Sequence, residues 1–214
     1  MGHRNYRLLD RALIALEAGL GGWQARNQPP ASPSPAAGQP ETLRDAADRQ
    51  TAARLMRVNH TGEICAQALY LGQGAFARTE DTAQLLAQAA HEELDHLHWC
   101  RERLAQLDSR PSRLDPFWFA GAYAIGALSA AAGDAQSLGF LAETERQVVQ
   151  HLEEHLERLP ANDRRSRAIL RQMRRDEARH EATANRHGAG RLPTAVRLAM
   201  RVQAAMMKAI AARV

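Results

Sequence analysis

Aromatic residues and cysteines are both scarce in this chain of 214 residues. Phe, Trp and Tyr make up only 5% of it, and there are two cysteines, Cys65 and Cys100. Two cysteines do not make a disulfide framework or a zinc knuckle, so we expect reduced core thiols in a cytosolic compartment. Runs of β-branched residues are also scarce, whereas alanine is abundant, and this composition favours helices.

A secretory pattern and long apolar runs are missing as well. The leucine-rich residues 8–20 contain Asp10, Arg11 and Glu17, which do not fit a signal peptide. The longest uncharged stretch, residues 116–133, is near the lower length limit for a span and is diluted by Gly, Ala and Ser, so we expect no transmembrane helix. This stretch is either a closely packed helix of the core or, through its aromatic start, a contact with lipid or an isoprenoid chain.

Positive charge is concentrated towards the C-terminus. The formal net charge is +4, and residues 161–214 hold 13 Arg and Lys against four Asp and Glu. An anionic lipid surface is one candidate partner. No aromatic residue lies among these cations, so base stacking has no support and we expect no nucleic-acid partner. The helix predicted at 194–214 is basic and amphipathic, which suits a membrane surface, a partner helix or docking onto the rest of the protein.

Composition divides the chain into three predicted segments. Residues 1–26 form an N-terminal amphipathic segment with a short helix at residues 5–20. Residues 27–40 hold five of the nine prolines and are predicted to be a flexible or polyproline-like linker. Residues 41–214 are long enough to form one domain with a sizeable core.

The pattern Glu-x-x-His occurs twice, at residues 93–96 and 177–180. Residues three apart on a helix share a face, so each copy lets a carboxylate and an imidazole hold one ion together. A further glutamate precedes the two copies by 30 and 32 residues. The six candidate ligands are therefore Glu63, Glu93, His96, Glu145, Glu177 and His180.

The midpoint of each glutamate spacing coincides with a turn signal. Thr79, beside the first midpoint, is a plausible helix N-cap, and Pro160 precedes the second midpoint. Each half therefore reads as a helical hairpin, with helices at about 44–76, 80–107, 134–159 and 163–186. Two packed hairpins predict an all-α, ferritin-like four-helix bundle, with an extra C-terminal amphipathic helix and with the six candidate ligands at one level.

Four carboxylates and two imidazoles offer oxygen and nitrogen donors without a thiolate. This set suits iron or manganese better than structural zinc. Four anionic ligands balance two divalent cations, which allows the carboxylates to be buried together. We expect two terminal pairs and one bridging pair, namely Glu63 with His96, Glu145 with His180, and Glu93 with Glu177. The alternative is that the six residues are ordinary surface charges. The two motifs, the two similar spacings and the turn signals at both midpoints would then be coincidence.

Two residues near the candidate ligands have less certain roles. His151 stands six positions after Glu145, close enough to act as a proton relay, although a lone histidine on a charged helix can also be solvated. His60 stands three positions before Glu63 and could support a ligand or cap a helix. Gly62 costs about 1 kcal/mol against alanine inside a helix, which predicts the close approach of a backbone or a substrate.

The run at residues 59–63, Asn-His-Thr-Gly-Glu, together with both Glu-x-x-His copies and Glu145, resembles the demethoxyubiquinone hydroxylases of ubiquinone biosynthesis. The resemblance covers about residues 44–214. It implies a di-iron monooxygenase that hydroxylates the ring of a polyprenyl demethoxyquinol with O₂. It also implies peripheral attachment to the cytoplasmic side of the cell membrane, where other ubiquinone-biosynthesis proteins would be partners.

Carried over residue by residue, the resemblance implies two iron ions held by Glu63, Glu93, His96, Glu145, Glu177 and His180. His151 matches a histidine that the family places near the centre, whereas Leu152 stands where some relatives have tyrosine. Two alternatives stay open, because fold and metal site do not fix function. One is a ferroxidase or iron-storage protein on the same bundle, and the other is a metal-free helical adaptor at membranes.

Overall fold

The computed structural model of the chain describes residue 17 and residues 19–214, and within this part it is helical without a strand. After a helical stretch at residues 19–25, six helices follow one another: α1 (Ala46–Ala75), α2 (Glu80–Gln106), α3 (Asp115–Ala131), α4 (Asp134–Arg158), α5 (Arg164–Arg186) and α6 (Thr194–Ala211). Helices α1 and α2 form one hairpin, and α4 and α5 form the other. The predicted all-α fold of two hairpins with a C-terminal helix is confirmed.

The hairpin turns lie where the sequence predicts them. Thr79 caps α2 by accepting the backbone N–H of Thr82, and Asp163 caps α5 by accepting that of Ser166 at 3.0 Å. After α5, Gly188 has a φ of 90°, a left-handed conformation that glycine adopts without a Cβ penalty. These caps fix the ends of the helices that carry the Glu-x-x-His copies.

Helix α3 crosses α1 at very close range. A Cβ added to Gly72 would lie 2.2 Å from the carbonyl oxygen of Tyr123, and one added to Gly126 would lie 2.1 Å from that of Leu69. No side chain fits at either position, so both glycines are needed for the two backbones to touch. The packing interpretation of residues 116–133 is therefore correct for the inner face of this helix.

Apolar side chains point outward from both α3 and α6. On α3, Phe117 and Leu128 are 75% and 72% exposed, and on α6 Leu198, Val202 and Met206 are between 53% and 62% exposed. Helix α6 packs on α1 and α4 through its other face. In the described part of the chain, no helix is both long and apolar enough to cross a bilayer. The two helices thus expose apolar surface but do not meet the requirements for crossing a bilayer.

The proline-rich residues 27–40 contact helix α2. They form no helix or strand, but the carbonyl oxygen of Ser32 accepts a hydrogen bond from Trp99 Nε1 at 3.1 Å, and Ala36 is buried. Backbone groups of this segment therefore find partners on α2, and its role as a flexible or polyproline-like linker stays a prediction. The domain boundaries stay a prediction, and most of the helix predicted at residues 5–20 lies outside the described residues.

Candidate metal centre

All six candidate ligands meet in the middle of the bundle, and none is more than 7% exposed. Their ligand atoms form two groups, each with all its atoms within 4.8 Å of one another. The first group is Glu63, Glu93, His96 and Glu177, and the second is Glu93, Glu145, Glu177 and His180. The two groups share Glu93 and Glu177, which therefore lie between two metal positions. The structure brings these residues together, and their role as iron ligands stays a prediction.

Both imidazoles direct Nδ1 at the carboxylates. His96 Nδ1 lies 3.0 Å from Glu93 Oε2 and 3.0 Å from Glu177 Oε1. His180 Nδ1 lies 3.0 Å from Glu177 Oε2 and 3.4 Å from Glu145 Oε1. Nδ1 is therefore the nitrogen that each ring offers to a metal, and Nε2 is left for other partners.

The outward nitrogen of each histidine meets a carboxylate from the opposite hairpin. His96 Nε2 lies 3.2 Å from Asp176 Oδ2, and His180 Nε2 lies 2.7 Å from Glu92 Oε2. Arg179 links the two carboxylates, donating to Glu92 at 3.0 Å and to Asp176 at 2.8 Å. A metal-bound imidazole commonly donates its second N–H to such a carboxylate, which fixes the ring and makes the ligand more basic. The two crossed contacts can hold both rings in this way.

Sequence reasoning missed these two carboxylates, although a signal for them exists. Glu92 and Asp176 each directly precede the glutamate of a Glu-x-x-His copy. An acidic pair in both copies is a pattern that the sequence shows. Only the packing of α2 beside α5 shows that the first acid of one copy serves the histidine of the other.

Tyr70 is a second residue that sequence reasoning missed. Its hydroxyl donates a hydrogen bond to Glu145 Oε1 at 2.5 Å, and burial followed by the charge of Glu145 raises the pKa of the phenol well above its usual value. The signal was its place seven residues, about two turns, after Glu63. His60 instead lies 3.3 Å from Asp115 Oδ2 and supports the start of α3.

Crowding of the carboxylates shifts their pKa values in both directions. Burial, followed by the charge of Glu177, raises the pKa of Glu145 to about 8, and the same two causes raise that of Glu93. Burial would also raise the pKa of Glu177, but the adjacent His96 and His180 lower it to about 2. Burial and mutual repulsion thus favour the protonated forms of Glu93 and Glu145, whereas the two histidines favour the ionised form of Glu177.

The residues present fit two divalent metal ions. In the described chain, Glu93 Oε1 and Glu145 Oε2 are buried without a hydrogen-bond partner, which is costly for a carboxylate oxygen. Divalent cations between the groups would give these oxygens a partner and balance the negative charge. Oxygen and imidazole donors without a thiolate suit iron or manganese.

An apolar cavity of about 270 Å³ leads from the outside of the bundle to Glu63. Helices α1, α3, α4 and α6 form its walls, with Ile125, Phe140 and Met200 among the lining residues. Gly62 also lines it, and a Cβ there would meet nothing within 4 Å. The sequence predicted that either a backbone or a substrate comes close to Gly62. Within the described residues no backbone lies there, and the cavity leaves space for a substrate.

His151 lies outside both ligand groups and lines the same cavity as Glu63. Its ring centroid is 3.8 Å from that of His155, and its Nδ1 is buried without a hydrogen-bond partner in the described chain. Burial, followed by the charge of His155, lowers its pKa well below the usual value. The ring is thus half-buried at the cavity wall, and a role as proton relay stays a prediction.

We expect Glu92→Gln and Asp176→Asn each to lower the affinity for ferrous iron by roughly tenfold to a hundredfold. Each change keeps the shape of the side chain but weakens its acceptance of the imidazole N–H. The measurement is metal titration, with helical content recorded by circular dichroism. Glu102→Gln on the exposed side of α2 is the matched control. Wild-type affinity in both test variants would mean that the crossed carboxylates do not support the centre.

Comparison with known proteins gives a consistent family. Residues 50–212 match the family model described as Ubiquinone biosynthesis protein COQ7. The chain is 53% identical over 207 residues to the 3-demethoxyubiquinol 3-hydroxylase of Xanthomonas euvesicatoria, covering 97% of this chain and 93% of that protein. A protein of the same name from Bordetella parapertussis is 50% identical over 203 residues, covering 95% of this chain and 88% of that protein. The range 50–212 spans all six candidate ligands.

Proposed function

The chain belongs to the family of the ubiquinone biosynthesis protein COQ7, and we propose that it is a 3-demethoxyubiquinol 3-hydroxylase that uses O₂ at a di-iron centre. It is accordingly an oxidoreductase of ubiquinone biosynthesis. The position of Glu63 carries the proposal, because this one side chain belongs to a ligand group and also lines the apolar cavity. A metal centre that opens directly into an apolar cavity suits a redox reaction on an apolar ring.

The six clustered residues would hold two irons, with Glu93 and Glu177 between them. When bound, two ferrous ions supply two electrons and activate O₂ for ring hydroxylation. The protein contributes orientation: Glu92 and Asp176 hold the histidine rings, and Tyr70 donates its proton towards Glu145. Its phenol stays protonated because burial and the neighbouring carboxylates raise its pKa.

The apolar cavity would take the quinol ring. Its volume of about 270 Å³ is just below the roughly 300–1,000 Å³ of drug-sized pockets, which leaves room for a ring but not for a long polyprenyl tail. The tail would therefore leave between α3 and α6, which flank the cavity. Apolar residues such as Ile125, Phe140 and Met200 would pack against the ring, and the missing side chain at Gly62 would let the ring come close to Glu63.

The ferroxidase or iron-storage alternative is less well supported. Iron storage needs no apolar cavity beside the metal ligands, and the relatives at 50–53% identity carry the name of a hydroxylase. A metal-free adaptor is also disfavoured, since burying four carboxylates together without bound cations is costly.

The decisive experiment supplies the purified protein with ferrous iron, a reductant, demethoxyubiquinol in detergent and isotopically labelled O₂. We expect two irons per chain, one for each ligand group, and labelled oxygen in the new ring hydroxyl, because a monooxygenase takes that atom from O₂. Many irons per chain without ring hydroxylation would support the storage alternative. Product without label would contradict the proposed monooxygenase.

Attachment to a membrane surface is part of the same proposal. Helices α3 and α6 flank the cavity and carry exposed Phe117, Leu128, Leu198, Val202 and Met206. Exposed apolar surface around a cavity mouth suits a lipid-dissolved substrate. The protein would lie on the cytoplasmic side of the cell membrane, among other ubiquinone-biosynthesis proteins.

We expect the combined change of Leu198, Val202 and Met206 to Gln to weaken binding to neutral phosphatidylcholine vesicles by roughly a hundredfold, at about 1 kcal/mol lost for each half-buried apolar side chain. Vesicle co-sedimentation measures this, and metal titration confirms that the variant is folded. The control changes three exposed alanines on other surfaces to Gln, namely Ala87, Ala161 and Ala182. Equal vesicle binding by wild type and the α6 variant would remove this face from the membrane contact.

A further inference from the structure

A second and larger cavity, of about 1070 Å³, lies between α1, α4 and α6 and contains none of the candidate iron ligands. Six cationic side chains line it, against two carboxylates. The cations are Arg49, Arg54, Arg57, Arg158, Lys208 and Arg213, and the carboxylates are Asp108 and Glu154. We call this the basic cavity. Its wall carries an excess of four positive charges, six minus two.

The protein's own carboxylates do not neutralise this excess. Asp108 is already paired with Arg49 at 2.7 Å, and Glu154 accepts a hydrogen bond from Gln150 at 3.3 Å. Within the described residues, no ion pair involves the three cations Arg54, Arg158 and Lys208. These three side chains come from three different helices, α1, α4 and α6, and line one concave space.

Two histidines, His151 and His155, line the basic cavity with their rings tilted at 60° to each other. His151, Glu154 and Lys208 also line the apolar cavity. Burial, followed by the charges of Arg158 and Lys208, lowers the pKa of His155 to about 3. Its Nδ1 lies 2.9 Å from Asn59 Oδ1. The histidines therefore stay neutral, and the positive potential comes from the arginines and the lysine alone.

We propose that the basic cavity is a binding site for a phosphate-bearing anion, contacted by Arg54, Arg158 and Lys208. A phosphate group has several oxygens and up to two negative charges, so it can bind cations from three helices at once. Arginine forks and lysine ammonium groups both bind phosphate well, and a concave site focuses their field. The phosphate belongs either to a soluble compound or to a lipid headgroup, since Lys208 lies on the helix that exposes apolar side chains. The site contains none of the candidate iron ligands, and Lys208 lies where the basic cavity adjoins the apolar one.

The test compares wild type with the combined change of Arg54, Arg158 and Lys208 to Gln. The matched control is the combined change of Arg164, Arg171 and Arg175 to Gln, which removes the same charge from the exposed side of α5. Calorimetry with inorganic pyrophosphate at constant ionic strength measures the soluble ligand. Co-sedimentation with phosphatidylcholine vesicles containing phosphatidic acid measures the headgroup.

We expect wild type and the α5 control to bind a phosphate probe saturably, and the cavity variant to bind it at least about tenfold more weakly, since hydrogen bonds between charged groups are lost. Loss confined to pyrophosphate assigns a soluble phosphate compound, and loss confined to phosphatidic acid assigns a headgroup. No saturable binding by wild type, or equal loss in both variants, overturns the site. Iron content is measured alongside, so a failure here is distinct from a failure of the di-iron function.

Discussion

Replacing Glu177 with alanine is expected to remove most bound iron and to lower quinol hydroxylation by more than roughly a hundredfold, the upper end of losses for residues that only support a ligand. Glu177 belongs to both ligand groups, and its two oxygens lie 3.0 Å from the Nδ1 atoms of His96 and His180. Its loss would therefore affect both metal positions together. Iron per chain and the single-turnover rate are the measurements.

The variant is expected to stay folded. Glu177 contributes negative charge that raises the pKa values of Glu93 and Glu145, so its removal relieves repulsion in the metal-free bundle. Helical content by circular dichroism should match wild type. Glu181→Ala, one turn further along α5 and outside both groups, is the control and should keep iron and activity. Wild-type iron content and turnover in Glu177→Ala would exclude this residue as a shared ligand.

The bundle and its ligand candidates could be predicted because both depend on local periodicity. Spacings of three residues within a copy, and of 30 and 32 residues across a turn, translate directly into helix faces and levels. The turn signals at Thr79 and Pro160 indicated where each hairpin folds back, and Thr79 and Asp163 cap the returning helices in the structure. Such features need no knowledge of how one hairpin packs on the other.

The features that sequence did not predict all depend on packing between distant segments. Glu92 reaches His180 only because α2 lies beside α5, and Ser32 reaches Trp99 only because the proline-rich segment runs along α2. The orientation of helix α6 also depends on packing. Its periodicity predicts an apolar and a basic face, but not which face points away from the bundle. In the structure its apolar Val202 faces outward, while Lys208 lines the basic cavity.

Glu63→Ala and Glu145→Ala are expected to fail in similar ways, each losing roughly a hundredfold in quinol hydroxylation. The two glutamates occupy separate ligand groups, Glu63 with its Oε2 3.6 Å from His96 Nδ1 and Glu145 with its Oε1 3.4 Å from His180 Nδ1. Either change leaves one metal position short of a carboxylate. A di-iron centre would need both positions to deliver two electrons, so one incomplete position would disable the pair.

The double variant is expected to lose little more than either single variant, because residues that act as one unit are not additive. Single-turnover hydroxylation of both single variants and the double measures this, with Glu157→Ala on α4 as the control for a carboxylate outside the groups. The two glutamates differ in their surroundings, since Glu63 lines the apolar cavity and Glu145 accepts a hydrogen bond from the Tyr70 hydroxyl. The expectation is the same for both, because each would complete one half of a centre that Glu93 and Glu177 join. Losses that multiply to roughly ten-thousandfold would show that the two glutamates act independently, and a shared centre would then be wrong.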